Sequence, residues 1–234
     1  MKILLTNDDG VSSMGLKILF DALSPMHEVT VVAPARSQNA TSHSITLRRP
    51  LKIRRLNKNI ISVYGTPADC IILAVYHLLD KLPDFIISGV NFGPNLGEDV
   101  MYSGTVGGAT EGAIIGIPSV ALSFYEPKNP DFKSASEFVL KIIEKVKSIP
   151  KDVVLNINIP YAPKGVKITC LGKREYVDVI EKRRGGYLIG GTRKDTIEQG
   201  TDFEACEQGY ISITPLRINL TCYESIPELK DFGL

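Results

Sequence analysis

The sequence predicts an α/β fold, a Rossmann-like, doubly wound three-layer sandwich followed by a β-rich C-terminal extension. Three observations predict it. By residue 33 the chain already reads strand, helix, strand, and such a unit requires parallel strands joined by a right-handed crossover. Strands and helices then alternate to about residue 160, the pattern of a doubly wound sheet. Past residue 160 the alternation stops, and the runs VKITCL, YVDVI, GYLIGG and YISITPL are β-rich and separated by turns.

Each element has its own signal. Lys2 to Thr6 is a short apolar run stopped by Asn7-Asp8-Asp9-Gly10, a buried strand ending in a turn. Leu16, Ile18, Leu19, Phe20 and Leu23 recur at helical spacing and place a helix over 13–23. Glu28 to Ala33 is the next strand, stopped by Pro34. Residues 35–44 (ARSQNATSHS) are small and polar with no periodicity, a loop. Ile45–Leu47, Leu51–Ile53 and Ile60–Tyr64 read as short strands forming a hairpin outside the main sheet. Pro67 opens a helix through Leu79, proline being favoured in the first turn. Strand Asp84–Ser88 leads into the Gly- and Asn-rich stretch 89–104, and Thr105–Gly116 is a helix of small residues. Strand Pro118–Ser123, helix 132–148 and strand Val153–Ile159 complete the alternation. Beyond them the one helical signal lies near 224–231.

Composition narrows the function classes. The 234 residues are 44% hydrophobic and 23% charged, enough to bury a core without disulfides or a structural metal. Lys plus Arg is 27 and Asp plus Glu is 26, a net charge of +1. That charge gives no field to attract a nucleic-acid polymer or an anionic membrane. The basic run Arg48, Arg49, Lys52, Arg54, Arg55 alternates with apolar residues and reads as a solvated face. No segment approaches the ~20 apolar residues of a membrane span, and MKILLTNDDG lacks the apolar core of a signal peptide. Cys70, Cys170, Cys206 and Cys222 show no C-x-x-C spacing, so a soluble, cytoplasmic protein with reduced thiols is expected.

In an open parallel sheet the site lies beyond the carboxyl ends of the strands. The loops there are 7–10, 36–44 and 89–104, and all three carry oxygen donors. Asp8 and Asp9 are adjacent like charges, which repel unless a cation lies between them, so a divalent metal is expected. A helix cap is the structural alternative. Asn91 and Asn95 offer neutral hard oxygens suited to Mg²⁺, Mn²⁺ or Ca²⁺, or else serve as turn residues beside glycine. Ser103-Gly104-Thr105 precedes a helix whose first turn can receive phosphate, or is an ordinary cap. His43 is the one histidine in a candidate loop, and Cys70 reads as a buried small hydrophobe. No G-x-S-x-G elbow, Walker loop or G-x-G-x-x-G fingerprint is present.

Taken together, MKILLTNDDG, VVAP, NATSHSITL, YGTPADC, ISGVNFGPNLGEDVMYSGTVGGATEGA, IPSVALS and LNINIP resemble the SurE family of survival proteins over the first 160 residues, with an echo in GYISITPL. The resemblance implies a metal-dependent phosphatase acting on nucleoside 5′- or 3′-monophosphates, with polyphosphate a further substrate of some members. It implies residues 1–160 as the catalytic domain and 161–234 as an extension for assembly into a homodimer or homotetramer. One divalent cation per subunit would be held by Asp8, Asp9, position 39 and Asn91, with Asp8 catalytic. Position 39 is Asn where the family has Ser. Asn95, Ser103, Gly104 and Thr105 would then bind phosphate. A receiver-like signalling module, a haloacid-dehalogenase-type phosphatase and a non-catalytic nucleotide-binding protein are the competing readings. The first lacks a phosphoacceptor Asp and a later Lys at the strand ends, and the second lacks Asp-x-Asp.

Overall fold

The computed structural model describes residues 1–230 apart from 127, 129, 146, 147, 178, 179 and 191. The chain runs β1 (Lys2–Thr6), α1 (Met14–Leu23), β2 (Glu28–Pro34), β3 (Ile53–Arg55), β4 (Ile60–Val63), then α2 (Pro67–Leu73) continued by a π-helical turn at Ala74–Leu78. Strand β5 (Phe85–Asn91), a 3₁₀ turn at Gly97–Met101, α3 (Gly104–Ile114), β6 (Ser119–Phe124), α4 (Phe132–Lys145) and β7 (Val153–Ile159) follow. The remainder is β8 (Val166–Ile168), β9 (Lys173–Val177), β10 (Ile180–Arg183), β11 (Gly186–Ile189), β12 (Thr192–Thr196), α5 (Asp202–Glu207), β13 (Ile211–Arg217) and α6 (Ile226–Lys230), the last preceded by a 3₁₀ turn at Tyr223–Ser225.

One nine-stranded sheet has the order β3-β4-β2-β1-β5-β6-β7-β13-β8. The pairs from β4 through β7 are all parallel. β3 runs antiparallel to β4, and β13 antiparallel to β7. Strand order reverses at β1 and β5, which opens a crevice at their carboxyl ends. The central strands read as continuous apolar runs because both faces are covered. Leu16, Leu19 and Leu23 of α1 and Phe138, Val139 and Ile143 of α4 are buried on one face with Leu5, Ile87 and Leu122. Cys70 and Ile71 of α2 cover the other with Leu4, Val32 and Ile86, while Val106, Ala109 and Ala113 of α3 pack there against Ala121 and Val154. The result is the expected three-layer α/β sandwich.

Three expectations need correction. β4 is not part of a separate hairpin: it pairs in parallel with β2, Val31 to Ile60 through Pro34 to Val63, and carries β3 at the sheet edge. Ile45–Leu47 forms no strand. Thr46 instead gives its backbone N–H and hydroxyl to the Asp69 carboxylate, at 2.7 and 2.6 Å, beside the capping box of α2. Helix α5 went unanticipated, although Thr201 caps it by accepting from Glu204 N, a Thr-x-x-Glu start. The apolar position 146, residues 178 and 179 of YVDVI and residue 191 of GYLIGG lie outside the described residues, as does residue 231 of the expected last helix. The basic run 48–55 is exposed, as read from its alternation.

Beyond β7 the chain returns twice to the sheet, as β8 and β13. Between those returns, among the described residues, β9 pairs only with β12, and β10 only with β11, in two-stranded antiparallel ribbons.

Candidate active site

The loop after β1 is built by Asn7, fully buried at the strand end. Its Oδ1 accepts from Gly10 N at 3.1 Å, and its Nδ2 donates to Gly10 O and to Ser13 Oγ, the cap of α1. This closed loop fixes Asp8 and Asp9 at the switch point. Asp8 is 4% exposed. Thr105, inside the first turn of α3, donates its hydroxyl to Asp8 Oδ1 at 2.6 Å. Asp9 Oδ2 accepts from Phe92 N at 3.3 Å, which ties it to the loop after β5.

The second loop is fastened to both neighbouring loops. Gln38 N donates to Asp8 O at 2.7 Å, and Ser42 N donates to Tyr102 O at 3.0 Å. Between them, Ala40 and Ser42 take positive φ angles of 54° and 51°. Two glycines of α3 let this loop close down. A Cβ on Gly107 would lie 2.5 Å from Ser42 O, and one on Gly104 would lie 2.9 Å from both Asp8 Cβ and Thr41 Oγ1. The helix start can therefore press on both loops only where it lacks side chains.

A cleft of about 500 Å³ opens between these loops, lined by Asp8, Asp9, Asn39, Ala40, Asn91, Phe92, Gly93, Pro94, Asn95, Asp99, Tyr102 and Ser103. Thus Asp8, Asp9, Asn39 and Asn91 come together from three loops. Ser37 and Ser42 do not line the cleft. Asn91 donates its Nδ2 to Gly93 O at 2.7 Å, which leaves its Oδ1 as the acceptor offered to the cleft. Ser103 lines the cleft while its hydroxyl oxygen caps α3 by accepting from Val106 N at 3.1 Å. Asn95 also reaches the cleft, but it is locked from behind. Its Nδ2 donates to Ser123 Oγ, its N–H to Asn158 Oδ1, and its carbonyl accepts from the amides of Asn156 and Asn158. Gly104 and Thr105 lie behind the wall, Thr105 fully buried against Asp8.

Electrostatics follow from that packing. Burial pushes Asp8 up to about 6, opposed by the Thr105 hydroxyl and assisted by the charge of Asp9. Burial also raises Asp9, opposed by Phe92 N–H. Among the described residues lining the cleft there is no Lys, Arg or His. Two desolvated carboxylates without a counter-charge, facing neutral amide oxygens, make a donor set that fits a hard divalent cation. No group of three His, Cys, Asp or Glu converges among the described residues, so such an ion would rest on two acids and the amides.

Other sequence candidates fall elsewhere. His43 Nε2 meets Glu111 Oε2 at 2.6 Å on the flank of α3, away from the cleft lining. Cys70 is fully buried and its thiol is pushed well up by burial, consistent with a packing residue. The sequence reading missed Phe92, Asp99 and Tyr102. All three lie within the Gly- and Asn-rich stretch 89–104, where the sequence pattern points to Asn91, Asn95, Ser103 and Gly104 instead.

Fold and cleft together define an α/β protein with an acid- and amide-lined cleft at the topological switch point of its sheet. The sequence profile of the family described as Survival protein SurE matches residues 3–178. A protein from Thermosipho africanus named 5'-nucleotidase SurE is 45% identical, the match spanning 99% of this chain and 97% of the relative. A protein of the same name from Geobacter sp. (strain M21) is 44% identical over the whole of both chains. The crystal structure of the SurE protein from Aquifex aeolicus superposes with a TM-score of 0.90 at 40% identity, covering all of both chains. The chain belongs to the SurE family, and neither a receiver-like signalling module nor a non-catalytic metal- or nucleotide-binding protein is favoured.

Proposed function

We propose that the protein is a metal-dependent phosphatase that converts nucleoside 5′- and 3′-monophosphates to nucleoside and phosphate, with polyphosphate ends a further substrate. The observation that carries this reading is the convergence of Asp8, Asp9, Asn39 and Asn91 in one cleft whose lining holds no basic side chain. One divalent cation per subunit, Mg²⁺ or Mn²⁺ in type, would be held by these four residues. When bound there it supplies charge neutralisation and polarises a phosphoryl oxygen. The chain's own groups do the rest. Asp8, aimed by Thr105, either takes a proton from the attacking water or attacks phosphorus itself. The Ser103 hydroxyl at the start of α3 donates to a non-bridging oxygen, Gly104 leaves the space that Asp8 occupies beside the helix, and Asn95 lines the same cleft.

Residues 161–234 serve assembly in this reading. Among the described residues β10 and β11 pair only with each other, and their Ile180, Tyr187, Leu188 and Ile189 are exposed. An apolar ribbon with free edges is suited to a second copy of the chain, giving a homodimer or homotetramer. No helix among the described residues is long and apolar enough to cross a membrane, and all four cysteines are free, which supports a reducing, cytoplasmic setting. The test is p-nitrophenyl phosphate and nucleotide hydrolysis with added Mg²⁺ or Mn²⁺ and with EDTA. Asp8→Asn should abolish turnover while far-UV circular dichroism stays that of the wild type. Near-wild-type turnover of Asp8→Asn at saturating metal overturns the reading.

A further inference from the structure

Asp99 adds a third carboxylate to the cleft wall. It comes from the 3₁₀ turn that precedes α3. Its partner comes from far along the chain: the Arg174 guanidinium, on β9, forms an ion pair with Asp99 Oδ2. The pair is largely withdrawn from water, the two side chains being 3% and 14% exposed. Arg174 is held in place by more than that contact. Its backbone N–H donates to Glu98 Oε2 at 2.8 Å, and its guanidinium carbon lies 4.8 Å from the Phe203 ring centroid. Phe203 stands on α5, next to Asp202, whose carboxylate accepts from Gly97 N and Gly172 N at 2.9 and 2.8 Å. Gly97 begins the turn that carries Asp99.

The charge arithmetic of the cleft gives this pair a role. A divalent cation offsets Asp8 and Asp9. A phosphate monoester arrives as an anion, and the Asp99 charge, less offset without Arg174, would repel it in a poorly solvated cleft. We propose that Arg174 is a positioning residue for anion binding: by pairing with Asp99 it cancels the third negative charge of the cleft and so sets the affinity for phosphate-bearing substrates. The inference rests on the phosphate-ester reading of the cleft and assigns to the region after β7 a part in substrate affinity as well as assembly.

The experiment is a double-variant cycle on the full chain, read by steady-state hydrolysis of p-nitrophenyl phosphate at saturating Mn²⁺. Arg174→Met should raise KM about tenfold with kcat changed by less than about twofold, and added KCl should shrink the KM difference by screening. Adding Asp99→Asn to Arg174→Met should return KM to the wild-type value, an outcome that a merely structural tie between β9 and the turn would not give. An unchanged KM in Arg174→Met, or no recovery in the double variant, overturns the proposal. Should Arg174→Met fail to fold, Asp99→Asn alone decides the question by calorimetry with inorganic phosphate and Mn²⁺. Removing the Asp99 charge from beside the guanidinium should tighten phosphate severalfold, and unchanged or weaker binding overturns the proposal. The calorimetric arm needs no turnover, so a wild type that binds phosphate but hydrolyses nothing would count against the phosphatase reading and not against this pairing.

Discussion

Thr105 spends its hydroxyl on Asp8, and this changes what the helix start contributes. Sequence pattern alone grouped Ser103, Gly104 and Thr105 as one phosphate cradle, whereas the structure gives them different neighbours. Ser103 faces the cleft, Gly104 makes room for Asp8 and Thr41, and Thr105 orients a carboxylate. A hydrogen bond to a charged group is worth about 1.5–3 kcal/mol. Thr105→Val should therefore weaken Mn²⁺ binding by roughly tenfold or more, while Thr105→Ser stays near wild type. Calorimetric Mn²⁺ titration checks this, and equal affinity in Thr105→Val would sink it. Asn39 is exposed at the cleft. Asn39→Ala should raise the metal concentration needed for half-maximal activity. Asn39→Ser should raise it less, and Ser37→Ala and Ser42→Ala should leave it alone. The reverse pattern would assign the ligand to a serine. Asp8, Asp9 and Asn91 were legible because strand-end loops rich in oxygen donors are visible in a sequence. Asp99 and Arg174 were not, because nothing in local spacing links residues from a 3₁₀ turn and a distant ribbon.

At the scale of elements, what could be read was what repeats. Apolar runs and helical spacing located β1, α1, β2, β5, β6 and β7 because both faces of a parallel sheet are buried. The polar strand β12 and the six-residue α5 carry no such periodicity, and the place of β4 depended on a tertiary pairing with β2. Caps locate elements more sharply. Asp131 precedes α4, and its carboxylate accepts from Ser134 N, Ser134 Oγ and Ala162 N at 3.0, 2.7 and 2.9 Å. Partial burial opposes its ionisation, but these hydrogen bonds prevail and hold its pKa below the usual carboxylate value. The group is more acidic folded than unfolded. Its stabilisation is thus present above the ordinary carboxylate range and is lost as pH falls through the folded pKa. Asp131→Asn should melt below wild type at neutral pH, and the gap in Tm should close in strong acid. A gap of constant size from neutral pH to pH ~2 would contradict this.

For the whole molecule, assembly is the first expectation for an extension whose ribbons, among the described residues, pair only with themselves. Light scattering of the purified protein should give a mass at least twice 25.6 kDa at micromolar concentration, and replacing Tyr187, Leu188 and Ile189 with polar residues should lower it. A monomeric wild type would remove the role assigned to residues 161–234. The order of strands has a different consequence, in time. β13 sits between β7 and β8, although β8 leaves the ribosome first. Every parallel strand from β4 to β7 finds a neighbour already made, but β8 is synthesised without one and has to wait while the ribbons and α5 emerge. The far edge of the sheet is therefore zipped up backwards, a late strand recruiting an early one across a large closed loop. Such non-local pairing is slow to form. In pulse-labelled hydrogen exchange during refolding, the amide of Thr169, which bonds Ile213 O at the end of β8, should gain protection only when β13 does, well after β1 and β5 have closed around the crevice.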